Sequence, residues 1–105
     1  MSVSTHVLDS VTGRPADGVA VALWAGDELL AEGATDADGR CRLVDGETAV
    51  GTHRLVLATG EWSAARGRDT FYPEVVLTFA VREPGAHHHV PLLLAPFGYS
   101  TYRGS

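Results

Sequence analysis

A histidine within an apolar, alternating segment and an arginine after a turn could act on a substrate. His6 precedes Val7 in an alternating segment, so if Val7 faces a core, His6 points to the outer face of the same strand. A histidine can gain or lose a proton near neutral pH, although an isolated one is more often a surface or structural residue. Arg40 follows a turn and could orient an anionic or carbonyl-rich substrate through its planar donors. The other reading of Arg40 is a solvated residue at the end of a hairpin.

Three consecutive histidines, 87–89, form a second group of possible chemistry. In a strand, His87 and His89 share one face while His88 opposes them, so two ring nitrogens could reach one metal ion. The run is internal and apolar strand residues follow it, which is unlike an affinity tag. Neither a cysteine nor an acidic cluster accompanies it, and the turn 35–40 has too few oxygen ligands for calcium. We therefore predict neither a metal site nor a cofactor.

The segment Tyr99 to Ser105 has the composition of a docked tail. Aromatic and β-branched residues continue almost to its last residue, whereas a disordered tail would have few of them. Gly104 would let the backbone approach a cleft closely, Arg103 could anchor the tail, and Ser105 would present a hydroxyl and a carboxylate there. From these residues alone, the sequence predicts an exposed set of histidine and arginine side chains together with a docked tail.

The composition favours one globular domain, 1–105, with a small molecule as its ligand. The chain has 105 residues, 45% of them apolar and 20% charged, which argues against disorder. A net charge of −5 without a basic block argues against nucleic acid as a partner. The first residues lack the pattern of a signal peptide, and no apolar run is long enough to span a membrane. With Cys41 as its one cysteine, we expect a cytoplasmic protein that contacts no membrane.

Period-two alternation separated by turn residues predicts an all-β sandwich or barrel. We place strands near 3–9, 19–25, 28–34, 41–44, 52–59, 74–82, 87–95 and 98–103. The stretch 61–67 does not alternate and closes on Gly67, which indicates one or two turns of helix. Pro91 cannot donate to a strand ladder, so its strand should lie at an edge or bulge at that residue.

Taken together, these segments resemble the transthyretin-like family, and within it the branch of 5-hydroxyisourate hydrolases. The resemblance covers nearly the whole chain, and the ending is its most specific part because the thyroid-hormone carriers of the family do not share it. The matching segments are Ser4-Thr-His-Val-Leu-Asp9, Gly13-Arg-Pro-Ala16, Thr35 to Arg40, His89-Val-Pro-Leu-Leu93 and Tyr102-Arg-Gly-Ser105.

The resemblance implies a fold, an assembly and a reaction. The fold would be a transthyretin-like (prealbumin-like) sandwich of two four-stranded antiparallel sheets with one short helix. The assembly would be a homotetramer with active sites in clefts between dimers. The reaction would be hydrolysis of 5-hydroxyisourate in urate catabolism by a water molecule that a histidine activates, with arginine stabilising the oxyanion.

Residue by residue, the resemblance also implies the site. The catalytic residues would be His6, Arg40, His89 and Ser105, and the tail residues Tyr102, Arg103 and Gly104 would join them in binding the substrate. His88 stands where tyrosine is common in the family, and we assign it no catalytic role. Nothing resembles a nucleophile elbow, which favours direct attack by water. Which histidine is the base remains open.

Two other functions compete with this one. A transthyretin-type carrier would hold a small aromatic ligand in a central channel, but polar His6, Arg40 and His89 do not suit an apolar channel. The hypothesis of a structural sandwich module, of the kind found in surface proteins, is weaker still, because the sequence shows neither a secretion signal nor linkers.

Overall fold

The alternating segments form short strands, and the one segment that does not alternate forms a helix. The computed structural model describes residues 2–45 and 49–105, so part of the turn predicted at Asp45-Gly46 lies outside the described residues. In chain order, the elements are β1 (Ser2–Asp9), β2 (Arg14–Pro15), β3 (Ala20–Ala25), β4 (Glu28–Ala34), β5 (Arg40–Asp45), β6 (Gly51–Leu57), α1 (Thr59–Ala65), β7 (Val75–Val81), β8 (His87–His89), β9 (Leu92–Ala95) and β10 (Gly98–Thr101).

Strand β1 is the centre of the first sheet. On one side it pairs antiparallel with β5 and, further along, with the two residues of β2. On the other side it pairs in parallel with β8 and then with β9, and β10 pairs antiparallel with β9 at the sheet edge. The residues of β1 alternate strictly between buried and half-buried positions. One face of β1 therefore contributes to the core, and the other face is available to a site.

The second sheet has the antiparallel order β4-β3-β6-β7 and covers the inner face of the first. The apolar positions predicted to share a face, such as Val21 and Leu23 on β3 or Val75 and Leu77 on β7, are buried. The buried apolar residues of both sheets form one cluster: Val3, Val7, Ala16, Val19, Val21, Leu23, Leu55, Leu57, Trp62, Val75, Leu77, Val90, Leu92 and Leu94. This interleaving of two inner faces is typical of a β-sandwich.

Helix α1 closes one end of the sandwich. It begins two residues earlier than the pattern predicts, and Gly67 follows it with a φ of 66°. Trp62 anchors the helix, because its buried ring carries an Nε1–H that donates to the carbonyl of Asp17 at 2.9 Å. None of the helical segments in the described part of the chain is long and apolar enough to cross a membrane.

The predicted sandwich of two sheets with one short helix is confirmed, with two differences in the first sheet. The strand predicted over 87–95 is interrupted at Val90-Pro91 into β8 and β9, where Pro91 cannot donate to the ladder. The pairing with β1 keeps the same register on both sides of Pro91, so the interruption takes the place of the expected edge position or bulge. With this division and the two-residue β2, the first sheet has six strand segments. It is also not wholly antiparallel, because β8 and β9 run parallel to β1. Alternation predicts which face a residue occupies but not the direction of the neighbouring strand.

Candidate active site

The outer face of β1 and its two neighbours forms a polar groove. The register places His6 opposite Arg40 on β5, and Ser4 opposite both Arg42 on β5 and His89 on β8. The groove has a volume of about 300 Å³. Its lining residues are Ser4, Thr5, Asp36, Arg40, Cys41, Arg42, His87, His89 and Ser105. Residues that are far apart in the sequence thus meet because β1 lies between the strands that carry them.

Arg40 is positioned by the tight turn between β4 and β5. The Oδ1 atom of Asp36 accepts hydrogen bonds from the backbone N–H groups of Asp38 at 2.9 Å and Arg40 at 3.0 Å. Gly39 has a φ of 74°, which favours glycine, and its carbonyl accepts a hydrogen bond from the N–H of Val7 at 2.8 Å. A Cβ atom at Gly39 would lie 2.5 Å from the Val7 carbonyl oxygen. The turn is therefore fixed against β1, beside the residue that follows His6.

His89 is half-buried in the groove and is held by its neighbours. Its Nδ1 atom lies 2.8 Å from the Oγ atom of Ser4, within hydrogen-bond distance. The ring of His87 stacks on it, with centroids 6.1 Å apart and planes inclined by 14°. Burial lowers the pKa of His89, and the nearby charges of His87, Arg40 and His6 lower it further. His89 is therefore a neutral imidazole at neutral pH, as a general base must be.

The tail docks against His89 and is divided between two cavities. The Gly104 N–H donates to the His89 carbonyl at 2.9 Å, and a Cβ atom at Gly104 would lie 2.3 Å from Cδ2 of the His89 ring. Ser105 then lines the groove. Tyr102 and Arg103 instead line a second cavity of about 490 Å³, which His89 also borders and which extends towards β7. Among the tail residues, only Ser105 therefore lines the groove together with Arg40.

His88 lies in the sandwich interior, opposite the groove. It is 5% exposed, and its ring lies 6.3 Å from that of Phe79, which in turn lies 5.9 Å from that of His53. Nδ1 of His88 has no hydrogen-bond partner among the residues that the structure describes. Burial is the main cause that lowers the pKa of His88, and the charge of Arg103 adds to it. This position agrees with the absence of a catalytic assignment for His88.

Cys41 borders the groove but is not suited to act as a nucleophile. Burial of the thiol raises its pKa, and the nearby carboxylate of Asp36 raises it further. The thiol therefore stays protonated at neutral pH, whereas the reactive form of cysteine is the thiolate.

Ser4 and His87 are groove residues that the interpretation of the sequence did not assign to the site. Ser4 precedes His6 by two residues, so strand periodicity alone predicts that both face the same side. His87 shares a face with His89 for the same reason and was considered only as a metal ligand. The signal was present, but the contact between Ser4 and His89 spans 85 residues and depends on the pairing of β1 with β8.

The groove concentrates positive and titratable groups in an acidic chain. Arg40, Arg42, His87 and His89 line it, and Asp36 is the one acidic side chain in its lining. Such a surface suits a ligand that is anionic or rich in carbonyl oxygens. Within residues 2–45 and 49–105, no three His, Cys, Asp or Glu side chains are grouped so that they could hold a metal ion.

A two-sheet sandwich with one short helix and a groove of histidine and arginine side chains defines a transthyretin-type fold with a site suited to acid–base chemistry. The model of the HIUase/Transthyretin family matches residues 3–104, so the chain belongs to this family. A 5-hydroxyisourate hydrolase from Caulobacter vibrioides is 49% identical, and the alignment covers 98% of this chain and 97% of that protein.

Two solved structures show the same fold. The 5-hydroxyisourate hydrolase of Klebsiella pneumoniae superposes with a TM-score of 0.92 at 40% identity, and the match covers all of both chains. The transthyretin of Sparus aurata superposes with a TM-score of 0.89 at 28% identity, covering 97% of this chain and 95% of that one. The same fold thus occurs in a 5-hydroxyisourate hydrolase and in a transthyretin, and the residues of the site must distinguish the two functions.

Proposed function

We propose that this protein hydrolyses 5-hydroxyisourate, the compound in the names of the Caulobacter and Klebsiella relatives. The observation that carries the proposal is the convergence of Arg40, His89 and Ser105 on one groove, with His6 directly opposite Arg40 on the neighbouring strand. These residues supply a neutral imidazole, a permanent positive charge and a hydroxyl, which is the set that hydrolysis of an amide by water requires.

In the proposed reaction, His89 acts as the base. Its Nδ1 atom lies within hydrogen-bond distance of Ser4 Oγ, so Nε2 is the nitrogen that can take a proton from water. The hydroxide so formed attacks a carbonyl carbon of the ring, and Arg40 stabilises the oxyanion that develops on the carbonyl oxygen. The C–N bond then breaks, and the leaving nitrogen takes up the proton that water gave to the histidine. A base of this kind typically contributes about 10²–10⁴-fold in rate.

The other residues of the proposed site bind and orient. His6 lies beside Arg40 and contacts the substrate, and the hydroxyl of Ser105 orients the attacking water. Tyr102 and Arg103 support the tail from the second cavity, while Gly104 places Ser105 next to the ring of His89. The product is 2-oxo-4-hydroxy-4-carboxy-5-ureidoimidazoline, formed in urate catabolism. No metal or cofactor takes part.

The direct test generates 5-hydroxyisourate with urate oxidase and follows its ultraviolet absorbance with and without the protein. We expect faster decay with the protein, and a decay close to the spontaneous rate with the His89→Ala variant at the same concentration. If wild-type protein leaves the decay unchanged, the proposal is wrong.

A carrier is the second candidate, favoured by the close superposition on a transthyretin. The charged groove of this chain suits a polar substrate better than an apolar ligand. The two functions separate in one comparison, because a carrier binds its ligand unchanged whereas an enzyme converts it. Substrate that is recovered intact from a stable complex would favour the carrier.

We also propose that the protein is a homotetramer. Several large apolar side chains remain on its surface, including Val76 at 40% exposure, Phe71 at 69% and Phe97 at 70%. Large exposed apolar side chains such as these are candidates for a surface that other chains cover.

A further inference from the structure

The Oγ atom of Ser4 lies between two imidazole rings. It is 2.8 Å from Nδ1 of His89 and 3.2 Å from Nε2 of His87. The other ring nitrogen of His87, Nδ1, is in contact with the Oγ atom of Ser2. These four side chains form a continuous row on the outer face of β1 and β8, from the half-buried His89 to the exposed His87.

The donors and acceptors along the row allow two hydrogen-bond patterns. A serine hydroxyl donates one hydrogen bond and accepts others, and a neutral imidazole has one donor and one acceptor nitrogen. If the Nδ1–H of His89 donates to Ser4, Ser4 can donate to Nε2 of His87, and the Nδ1–H of His87 can donate to Ser2. In this arrangement, Nε2 of His89 keeps a free lone pair. If every hydrogen bond is reversed, Nε2 of His89 carries the hydrogen instead.

We propose that Ser4 is the positioning residue that sets the tautomer of His89 and links it to His87 as a proton relay. The inference rests on the proposed function, since it concerns the base of that reaction. When Nε2 of His89 takes a proton from water, its Nδ1–H proton passes to Ser4 Oγ while the hydroxyl proton of Ser4 passes to Nε2 of His87. The positive charge then resides on the exposed His87 instead of the half-buried His89. The reverse transfers return the proton to His89 for delivery to the leaving nitrogen.

The charges around His89 favour such a relay. Arg40 on β5, His6 on β1 and His87 on β8 all face it and oppose a positive charge on its ring, and burial has the same effect. Asp36 in the turn before β5 and Arg42 on β5 also line the groove, as does Ser105 of the tail. A positive charge on His87 is better solvated, because that side chain is exposed.

The test compares Ser4→Ala with Ser4→Thr, which retains a hydroxyl and suits a strand. Ser100→Ala is the matched control, since Ser100 is an exposed serine on β10 of the same sheet, outside the groove. We expect Ser4→Ala to lower kcat by about 10- to 100-fold, by analogy with the loss of a group that orients a metal-bound histidine. Ser4→Thr should recover most of the rate, and Ser100→Ala should match wild type.

Two further readouts separate relay from structural support. Nitrogen NMR of labelled histidine reports which ring nitrogen of His89 carries the hydrogen, and Ser4→Ala should shift His89 towards the Nε2–H form. In His87→Phe the aromatic ring is kept but both nitrogens are lost. This variant should lower kcat less than Ser4→Ala does, and should alter the acid limb of the pH profile of kcat/KM without changing thermal stability.

The outcomes distinguish the two proposals. If wild type turns over 5-hydroxyisourate but Ser4→Ala retains both its rate and its His89 tautomer, the relay is wrong and the proposed function stands. If wild type has no activity, the proposed function is wrong, and the NMR comparison still decides whether Ser4 sets the tautomer. A lower rate in Ser4→Ala with an unchanged tautomer would also overturn the relay.

Discussion

At the scale of single residues, Arg40 is the charged side chain that lines the groove opposite His6 on the neighbouring strand. Replacing it with glutamine removes the charge but keeps a polar, shorter side chain. We expect Arg40→Gln to lose about 2–4 kcal/mol of transition-state stabilisation with the fold intact, because the guanidinium acts on charge that develops during the reaction. Steady-state kcat/KM and thermal unfolding check this. Arg40→Lys should recover only part of the loss, since a single ammonium cannot reproduce the planar fork.

The control for Arg40 is Arg14→Gln, which neutralises an exposed arginine on β2 outside the lining of the groove. Both variants change the net charge of the chain equally. If Arg14→Gln reduced kcat/KM as much as Arg40→Gln does, the effect would come from net charge, and Arg40 would have no special role.

Gly104 controls where the tail lies relative to the His89 ring. Because a Cβ atom at Gly104 would lie 2.3 Å from Cδ2 of His89, Gly104→Ala must displace either the tail or the ring. We expect a loss of about 10²-fold in kcat, as for other small misplacements of reacting groups, with little change in melting temperature. Gly98→Ala is the matched control, since a Cβ atom there meets nothing within 4 Å. Equal activity of the two variants would show that the tail does not position His89.

At the scale of elements, the turn before β5 connects the position of Arg40 to β1. Gly39 and Gly18 both have positive φ angles, 74° and 84°, but only at Gly39 would a Cβ atom collide with another group. Gly18→Ala should cost about 1–2 kcal/mol of unfolding free energy from backbone strain alone. Gly39→Ala should cost more unfolding free energy, because the turn must also move away from the Val7 carbonyl. Gly39→Ala should also lower kcat, whereas Gly18→Ala should leave kcat unchanged. Urea unfolding and steady-state rates measure both effects.

Packing of β8 against β7 makes the stability of the fold sensitive to acid. Burial lowers the pKa of His88 in the folded state below its ordinary value of 6.5, so the unfolded chain binds this proton more readily. The stabilising contribution of neutral His88 is complete above about pH 6.5 and is lost as the pH falls through the window down to the folded-state pKa. We expect His88→Tyr, whose ring stays neutral throughout this range, to lose less stability between about pH 7 and about pH 5.

Urea unfolding of wild type and His88→Tyr at a series of pH values checks this prediction. The pKa of His89 is lowered in the same direction, so the difference between the two proteins isolates the contribution of His88. Parallel stability curves for the two proteins across this range would contradict the assignment.

Alternation was sufficient to place the strands and the faces of their residues, but it could not identify their neighbours. The inner positions of β3 and β7 and the interruption at Pro91 followed from side-chain type and period. The parallel pairing of β1 with β8 did not, because strand direction depends on how distant segments pack. Ser4 was overlooked for this reason, although its face was predictable from that of His6.

At the scale of the whole molecule, the fold and the family were the most predictable features. Arg40, His89 and Ser105 line one groove and His6 pairs with Arg40, while the catalytic roles of these residues stay a prediction. The division of the tail between two cavities was not predictable, because it depends on the side of His89 to which each residue turns. Tyr102 and Arg103 face the second cavity, and the sequence motif that includes them cannot distinguish the two sides.

The last prediction concerns assembly. A domain of this size buries a modest fraction of its surface, and apolar residues occupy both faces of β7, where Val75 is buried and Val76 is 40% exposed. We expect sedimentation velocity to show a tetramer at micromolar concentrations, and we expect activity per subunit to fall as dilution dissociates it. Val76→Glu places a charge on the exposed apolar face and should favour smaller species. Thr78→Glu adds a charge at the next outward position of the same strand and tests whether any added charge has this effect. A fully active monomer at low concentration would show that one subunit contains the complete site and that the exposed apolar residues serve another purpose.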